Sequence, residues 1–154
     1  MIIVEAQIEI AAPAVFVWDV LVDFPSYPHW NPYIRSIEGL PDLGSKIQIK
    51  ISPPGTKQHF YSPTILEYHP PSLMSWETRL ASFKMAKVKR SFHIEKLDKN
   101  NTLFKQHLYG SGILMPLYRS FLQVNVFKGL EEMNLALKKV AEFRWNNRKK
   151  QVQE

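Results

Sequence analysis

The side chains able to do chemistry are few and poorly placed for it. The chain has no cysteine, which removes disulfides, thiolate nucleophiles, iron–sulfur clusters and cysteine zinc sites together. Its five histidines, His29, His59, His69, His93 and His107, show no His-x-x-x-His or related spacing that would bring two imidazoles to one ion, so no metal site is expected. No serine stands in a Gly-x-Ser-x-Gly elbow and there is no glycine-rich phosphate loop, which sets aside hydrolase and nucleotide-dependent readings. Glu131 and Glu132 are adjacent, and Asp19 and Asp23 suit the flanks of a short helix. Neither pair resembles a facing acid and base, and no catalytic residue is assigned.

What remains is a polar group among apolar ones. Arg90 shares a strand face with Val88, Phe92 and Ile94. It either points inward, where a buried guanidinium needs an anionic or carbonyl partner, or lies near the strand end and reaches solvent on its long stem. Gln106, on the face of Phe104 and Leu108, could stand beside it. Strand alternation puts His93 and His107 on the opposite, outward faces.

Positioning these groups is the task of alternating strands and one long helix. Residues 2 to 10 place Val4, Ala6, Ile8 and Ile10 on one face against Glu5, Gln7 and Glu9, the pattern of a half-buried strand. Pro13 opens a helix over about 13 to 23, with Val15, Trp18, Leu21 and Val22 at helical spacing. Three prolines between Pro25 and Pro32 allow no more than a compact helical turn. Strands are then expected at 33 to 38, 46 to 52, 58 to 68, 73 to 80, 86 to 97 and 102 to 110. Their connections include Pro53-Pro54-Gly55 and Asp98 to Asn101, short enough for antiparallel neighbours.

From Pro116 to about Asn147 no proline occurs and Leu, Lys and Glu dominate, so a single long helix ends the chain. Around Leu130, the residues Val126, Phe127, Met133, Leu137 and Ala141 form one stripe that should face the sheet. Leu117, Phe121 and Val124 lie on nearly the opposite side. That half of the helix is apolar all round and must be covered by loops, a second subunit or a ligand.

The 154 residues amount to one ordinary domain, and 45% hydrophobic with 22% charged residues is average globular composition. Residues 1–147 are read as the domain and 148–154 as a basic tail. The net charge of +6 is concentrated in Arg144, Arg148, Lys149 and Lys150 and in Lys84, Lys87, Lys89 and Arg90. No nucleic-acid motif accompanies either cluster, so a solvated tail and strand face are expected rather than a polyanion site. Glu5 and Glu9 interrupt the first apolar run, and no stretch approaches the roughly 20 residues that span a bilayer. A soluble cytoplasmic protein without integral membrane association is expected.

In order and spacing, several fragments resemble the START-like (SRPBCC, helix-grip) superfamily, in its polyketide cyclase/dehydrase and lipid transport branch. They are Ala12-Pro13, the stretches 18–24 (WDVLVDF), 27–32 (YPHWNP), 52–55 (SPPG) and 63–67 (PTILE) leading to Trp76, and then 112–117 (GILMPL) and 129–138 (GLEEMNLALK). The resemblance runs from about residue 2 to 143. It implies an α+β helix-grip fold, in which a curved antiparallel sheet of six or seven strands wraps the last helix, with two short helices after the first strand and a cavity between sheet and long helix. It implies no cofactor and a hydrophobic ligand such as a lipid, sterol or polyketide.

On that fold the residues brought around the cavity would be Trp30, Tyr33, Phe60, Trp76, Thr78, Arg90, Phe92, Gln106, Leu108, Phe127, Leu130 and Asn134. Nine Phe, six Tyr, four Trp and five Met suit a pocket with adaptable walls. The leading expectation is a carrier or sensor of a hydrophobic small molecule or lipid. The alternatives are a cyclase/dehydrase-type enzyme, and a homodimeric or membrane-surface interaction module.

Overall fold

The computed structural model describes residues 1–80 and 85–153; Lys84 of the second basic cluster lies outside them. The chain opens with strand β1 (Ile2–Ile10), followed by helix α1 (Ala14–Val22), a 3₁₀ turn (Phe24–Ser26) and the single-turn helix α2 (Tyr27–Trp30). Strands β2 (Ile34–Glu38), β3 (Gln48–Ile51), β4 (His59–Tyr61), β5 (Thr64–His69), β6 (Leu73–Arg79), β7 (Lys87–Asp98) and β8 (Asn101–Ser111) come next. A 3₁₀ turn (Met115–Tyr118) and a π-helical segment (Phe121–Val126) lead into helix α3 (Phe127–Gln153).

Five strands form one antiparallel sheet in the order β1-β8-β7-β6-β5, and β2-β3-β4 form another. The two are stitched where the Ile47 amide donates to the Pro63 carbonyl (2.9 Å) and the Ile65 amide to that of Ser45 (2.9 Å), around a Lys46–Thr64 bridge. Eight strands among the described residues exceed the six or seven expected, because the stretch 58 to 68 is broken at Ser62 and Pro63 into β4 and β5. Proline cannot donate to a ladder, so a continuous strand across position 63 is disfavoured. At the other extreme, β7 and β8 pair without a break until a register shift between Lys96 and Asp98, beside a turn closed by Asp98, whose carboxylate accepts from the Asn100 amide (2.8 Å) and from Asn101 Nδ2 (3.0 Å).

Burial follows the alternation. In β1 the residues Ile2, Val4 and Ile10 are buried while Glu5, Gln7 and Glu9 are exposed. Leu130, Met133, Leu137 and Ala141 of α3 are fully buried, so the helix lays its apolar stripe on the sheet's inner face. Two polar clasps fix it beside the edge strand: Lys138 Nζ donates to the Glu9 carbonyl (3.1 Å), and Glu142 Oε2 accepts from the Ala11 amide (2.9 Å). Near its far end Trp145 meets Phe16 of α1 edge-on at 5.0 Å. The helix continues through 148–153, the residues read from the sequence as a tail.

The helix expected to begin at Pro116 instead enters through the 3₁₀ and π-helical turns. Gly112 makes this entry possible: its φ of +113°, and the backbone of Met85 and Ala86 pressed against it, leave no room for a side chain. The irregular segment is the one whose sequence is apolar all round, with Leu122 and Val126 turned inward and Leu117 and Val124 left exposed.

Candidate ligand-binding site

The sheets and the π-helical segment do not close on one another. Between them lies a cleft lined by Ile49 and Ile51 of β3, Tyr61 of β4, Trp76 and Thr78 of β6, Val88 and Arg90 of β7, and Leu108 of β8, with Tyr33, Leu80, Phe121, Leu122 and Val126 completing the wall. The cavity is narrow, about 50 Å³, and opens to solvent at its mouth. Among the described lining residues, Arg90 alone carries a charge.

Arg90 is placed by register. It pairs with Trp76 of β6 on one side and Leu108 of β8 on the other, so it shares their inward face and is only 4% exposed. The strand-end, solvent-reaching alternative is therefore not the one adopted. Its guanidinium carbon lies 4.9 Å from the Tyr33 ring centroid and 5.0 Å from that of Phe92, within cation–π range of both. Nη2 donates to Gln106 Oε1 at 2.5 Å and lies 3.7 Å from Met133 Sδ. Nε is buried with no partner.

Gln106 is held in turn, because its Nε2 donates to Asn134 Oδ1 (2.7 Å) and to the Leu130 carbonyl (3.2 Å). Burial draws the Arg90 pKa downward, yet a guanidinium starts so high that it remains cationic.

Tyr33 is fixed from below and behind. Asn31 Oδ1 accepts from the amides of Tyr33 and Ile34, both at 2.9 Å, locking the turn into β2. The ring then lies against the bare Cα of Gly129 in α3, where a Cβ would stand 2.6 Å from the Tyr33 Cε2 atom. Burial raises the Tyr33 phenol above its ordinary pKa, against the opposing pull of Arg90. Burial also leads in pushing Tyr61 up to about 12, with Tyr33 and Tyr118 adding to it. Both phenols are neutral hydrogen-bonding groups near physiological pH.

Of the residues nominated from the sequence, Tyr33, Trp76, Thr78, Arg90 and Leu108 meet at the cleft. Gln106 and Asn134 stand behind Arg90 as its polar support. Phe92 and Leu130 are solid core, Phe92 packing edge-on against Trp76 at 4.9 Å. Phe127 faces a separate groove between β1 and α3. Trp30 packs on Tyr27 at 4.9 Å and donates its Nε1 to Ser26 Oγ (3.2 Å), away from the cleft. Phe60 is 73% exposed. It pairs with Lys50, whereas Tyr61 pairs with Ile49 on the inner face; a one-residue step along a strand reverses the face.

The sequence reading did not nominate Tyr61, Ile49, Ile51, Leu80, Val88, Phe121, Leu122 or Val126. For the isoleucines the alternation of 47 to 51 marked the buried face, and for Phe121 the doubly apolar helix was the signal. Nothing local marked Tyr61. His59 sits beside the rim, its ring 5.1 Å from that of Phe121 and its Nε2 buried without a partner. His93 and His107 lie on the outer face as expected, their rings 4.9 Å apart. Among the described residues no helix is long and apolar enough to cross a membrane.

A sequence model of the family described as polyketide cyclase / dehydrase and lipid transport matches residues 1–142. No curated protein is detectably similar in sequence. Solved structures of similar fold include the Zhui aromatase/cyclase from Streptomyces sp. R1128, with 18% identity over 93% of this chain and 94% of that one at a TM-score of 0.73. A START superfamily protein from Mycobacterium smegmatis has 21% identity over 94% and 97% at a TM-score of 0.65. Norcoclaurine synthase from Thalictrum flavum, in complex with dopamine and hydroxybenzaldehyde, has 16% identity over 90% and 85% at a TM-score of 0.67. At these identities the likeness is one of fold.

Proposed function

The chain belongs to the polyketide cyclase / dehydrase and lipid transport family, and on that premise we propose that it binds a hydrophobic small molecule or lipid in the cleft, as a carrier or sensor in the cytoplasm. The observation that carries this reading is the cleft itself: an apolar lining with one buried cation in its wall. Ligand-binding clefts are mostly apolar with a few placed polar groups, and this one has that character. Burying each ligand CH₂ contributes about 0.8 kcal/mol, so a chain of about ten carbons supplies roughly 8 kcal/mol, the scale of micromolar binding before ordering costs.

The narrowness restricts the occupant. Only a slim aliphatic or flat aromatic body suits so narrow a cleft, and admitting a ten-carbon chain requires its walls, Phe121 and Leu122 among them, to move outward. Native mass spectrometry of the purified protein, organic extraction and a thermal-shift screen over fatty acids, sterols and aromatics test the proposal. A protein that carries nothing and responds to none of them would not be a carrier.

The fold shared with the Streptomyces aromatase/cyclase favours a second reading, in which the cleft folds a polyketide-like substrate and Arg90 steadies charge developing on an oxygen. Unchanged turnover of such a substrate by Arg90→Met would remove it.

A further inference from the structure

We infer that the occupant of the cleft is an amphiphilic acid, whose carboxylate completes the hydrogen bonding of Arg90 while its apolar body lies against Ile49, Ile51, Trp76 and Leu122. The inference rests on the binding proposal and narrows it to one charge class.

The argument is one of incomplete partners. A guanidinium presents five N–H donors and no acceptor. Around Arg90 the protein supplies one well-formed hydrogen bond to an oxygen, Gln106 Oε1, with the neutral Tyr33 phenol close by, a distant thioether sulfur and two ring faces, and leaves Nε with nothing. Gln106 cannot neutralise the charge, and its own amide is already committed to Asn134 and Leu130. Among the described residues no Asp or Glu pairs with Arg90. The ion pairs that do form, such as Lys89–Glu67 and Lys105–Glu95, lie on the outer surface.

An uncompensated buried ion is costly, and a purely structural arginine at this depth would be expected to have a carboxylate beside it. Neutral donors stand ready for the rest of an anion: the Thr78 hydroxyl and the Tyr33 and Tyr61 phenols share the lining, and the phenols are kept protonated by burial. An ammonium ligand would meet like charge. A neutral alcohol would leave the guanidinium as poorly compensated as before.

The test uses matched ligands on the full chain, with binding measured by calorimetry: decanoate, 1-decanol, methyl decanoate and decylamine, and in parallel 2-naphthoate and 2-naphthylmethanol. The expected result is that each acid binds at least tenfold more tightly than its neutral counterpart and that the amine does not bind. In Arg90→Met, a near-isosteric replacement, the acid should lose this advantage, its affinity falling to that of the matched alcohol in the same variant. Arg90→Lys, which restores the charge, should recover part of the preference. Circular dichroism establishes that the variants are folded, and the wild-type series stands alone if they are not. Neutral and acidic members binding equally well to the wild type would overturn the inference and leave the binding proposal standing. No binding by any member would overturn both.

Discussion

Gly129 is the sharpest place to test how the cleft is built. It lies within α3, where glycine is disfavoured relative to alanine by roughly 1 kcal/mol, so propensity alone makes Gly129→Ala stabilising. The structure reverses the sign. An added Cβ would lie 2.6 Å from Tyr33 Cε2 and 2.9 Å from Cγ, and closer still to Cδ2. Tyr33 is 1% exposed, with its amide bound to Asn31 and Arg90 over its face. The ring has nowhere to go without disturbing the cation.

Overpacking of this kind costs about 1–3 kcal/mol, and displacing a desolvated cation–π contact adds up to about 2 kcal/mol. Against the propensity gain, the net expectation is a loss of about 2 kcal/mol, or about 4–8 °C in Tm for a domain of this size. Calorimetry or urea unfolding measures it. Repeating the substitution in a Tyr33→Ala background should turn it stabilising by about 1 kcal/mol, because the obstructing atoms, which begin at Cγ, are gone. A rise in Tm for Gly129→Ala alone, or the same change in both backgrounds, would show that the helix–ring contact does not position Tyr33.

Trp76→Ala removes a fully buried ring packed on Phe92 and should cost about 3–5 kcal/mol in a chemical unfolding experiment. Thr102 Oγ1 donates to the Ala12 carbonyl at 2.8 Å in a buried site, so the isosteric Thr102→Val should lose about 1–2 kcal/mol by the same measurement. Phe60→Ser, on the outer face, should change stability by no more than about 0.5 kcal/mol and leave ligand affinity unaltered in calorimetry. Burial first, and then His107, hold the His93 pKa below the usual imidazole value, with Lys105 and Lys89 adding to this and Glu67 opposing it. Such a group takes up its proton more readily unfolded. Its contribution is therefore complete above the unfolded pKa of about 6.5 and is lost as pH falls below it. The Tm of His93→Gln should decline less than that of the wild type over that interval.

The elements were legible because their signals are local. The alternation of Ile47, Ile49 and Ile51 marks a buried strand face, Asp98 to Asn101 is a turn by its own side-chain chemistry, and the stripe from Leu130 to Ala141 identifies what the sheet must cover. Pro63 shows the limit. It was visible, but a single broken strand and two strands differ only in what the neighbouring chain pairs with.

The site was less legible for the same reason. Phe60 and Tyr61 are equally apolar in sequence, and the pairing of Ile49 with Tyr61 decides which one turns inward. Arg90 was open between pocket and solvent until its pairing with Trp76 and Leu108 placed it mid-sheet. Gly129 was present as an unexplained glycine in a helix, and only the ring across from it supplies the reason.

The same polar group explains why the interior is solid on one side and open on the other. Around Gln106 and Asn134, the side chains of Phe92, Phe104, Leu130 and Met133 are fully buried, with the Phe92 and Phe104 rings stacked 6.3 Å apart. On the near side, the sheet meets a helix entry that has left α geometry, and Leu122 and Val126 approach β3 and β6 without filling the space. A hydrophobic wall free to relax would collapse onto such a gap. Arg90 opposes that collapse, since closing apolar side chains over a guanidinium whose Nε lacks a partner would deepen its desolvation without supplying an acceptor. The Gln106–Asn134 link prevents it from swinging away. The cation thus disfavours filling that space with apolar side chains, and the π-helical segment carrying Phe121 and Leu122 forms one of its walls.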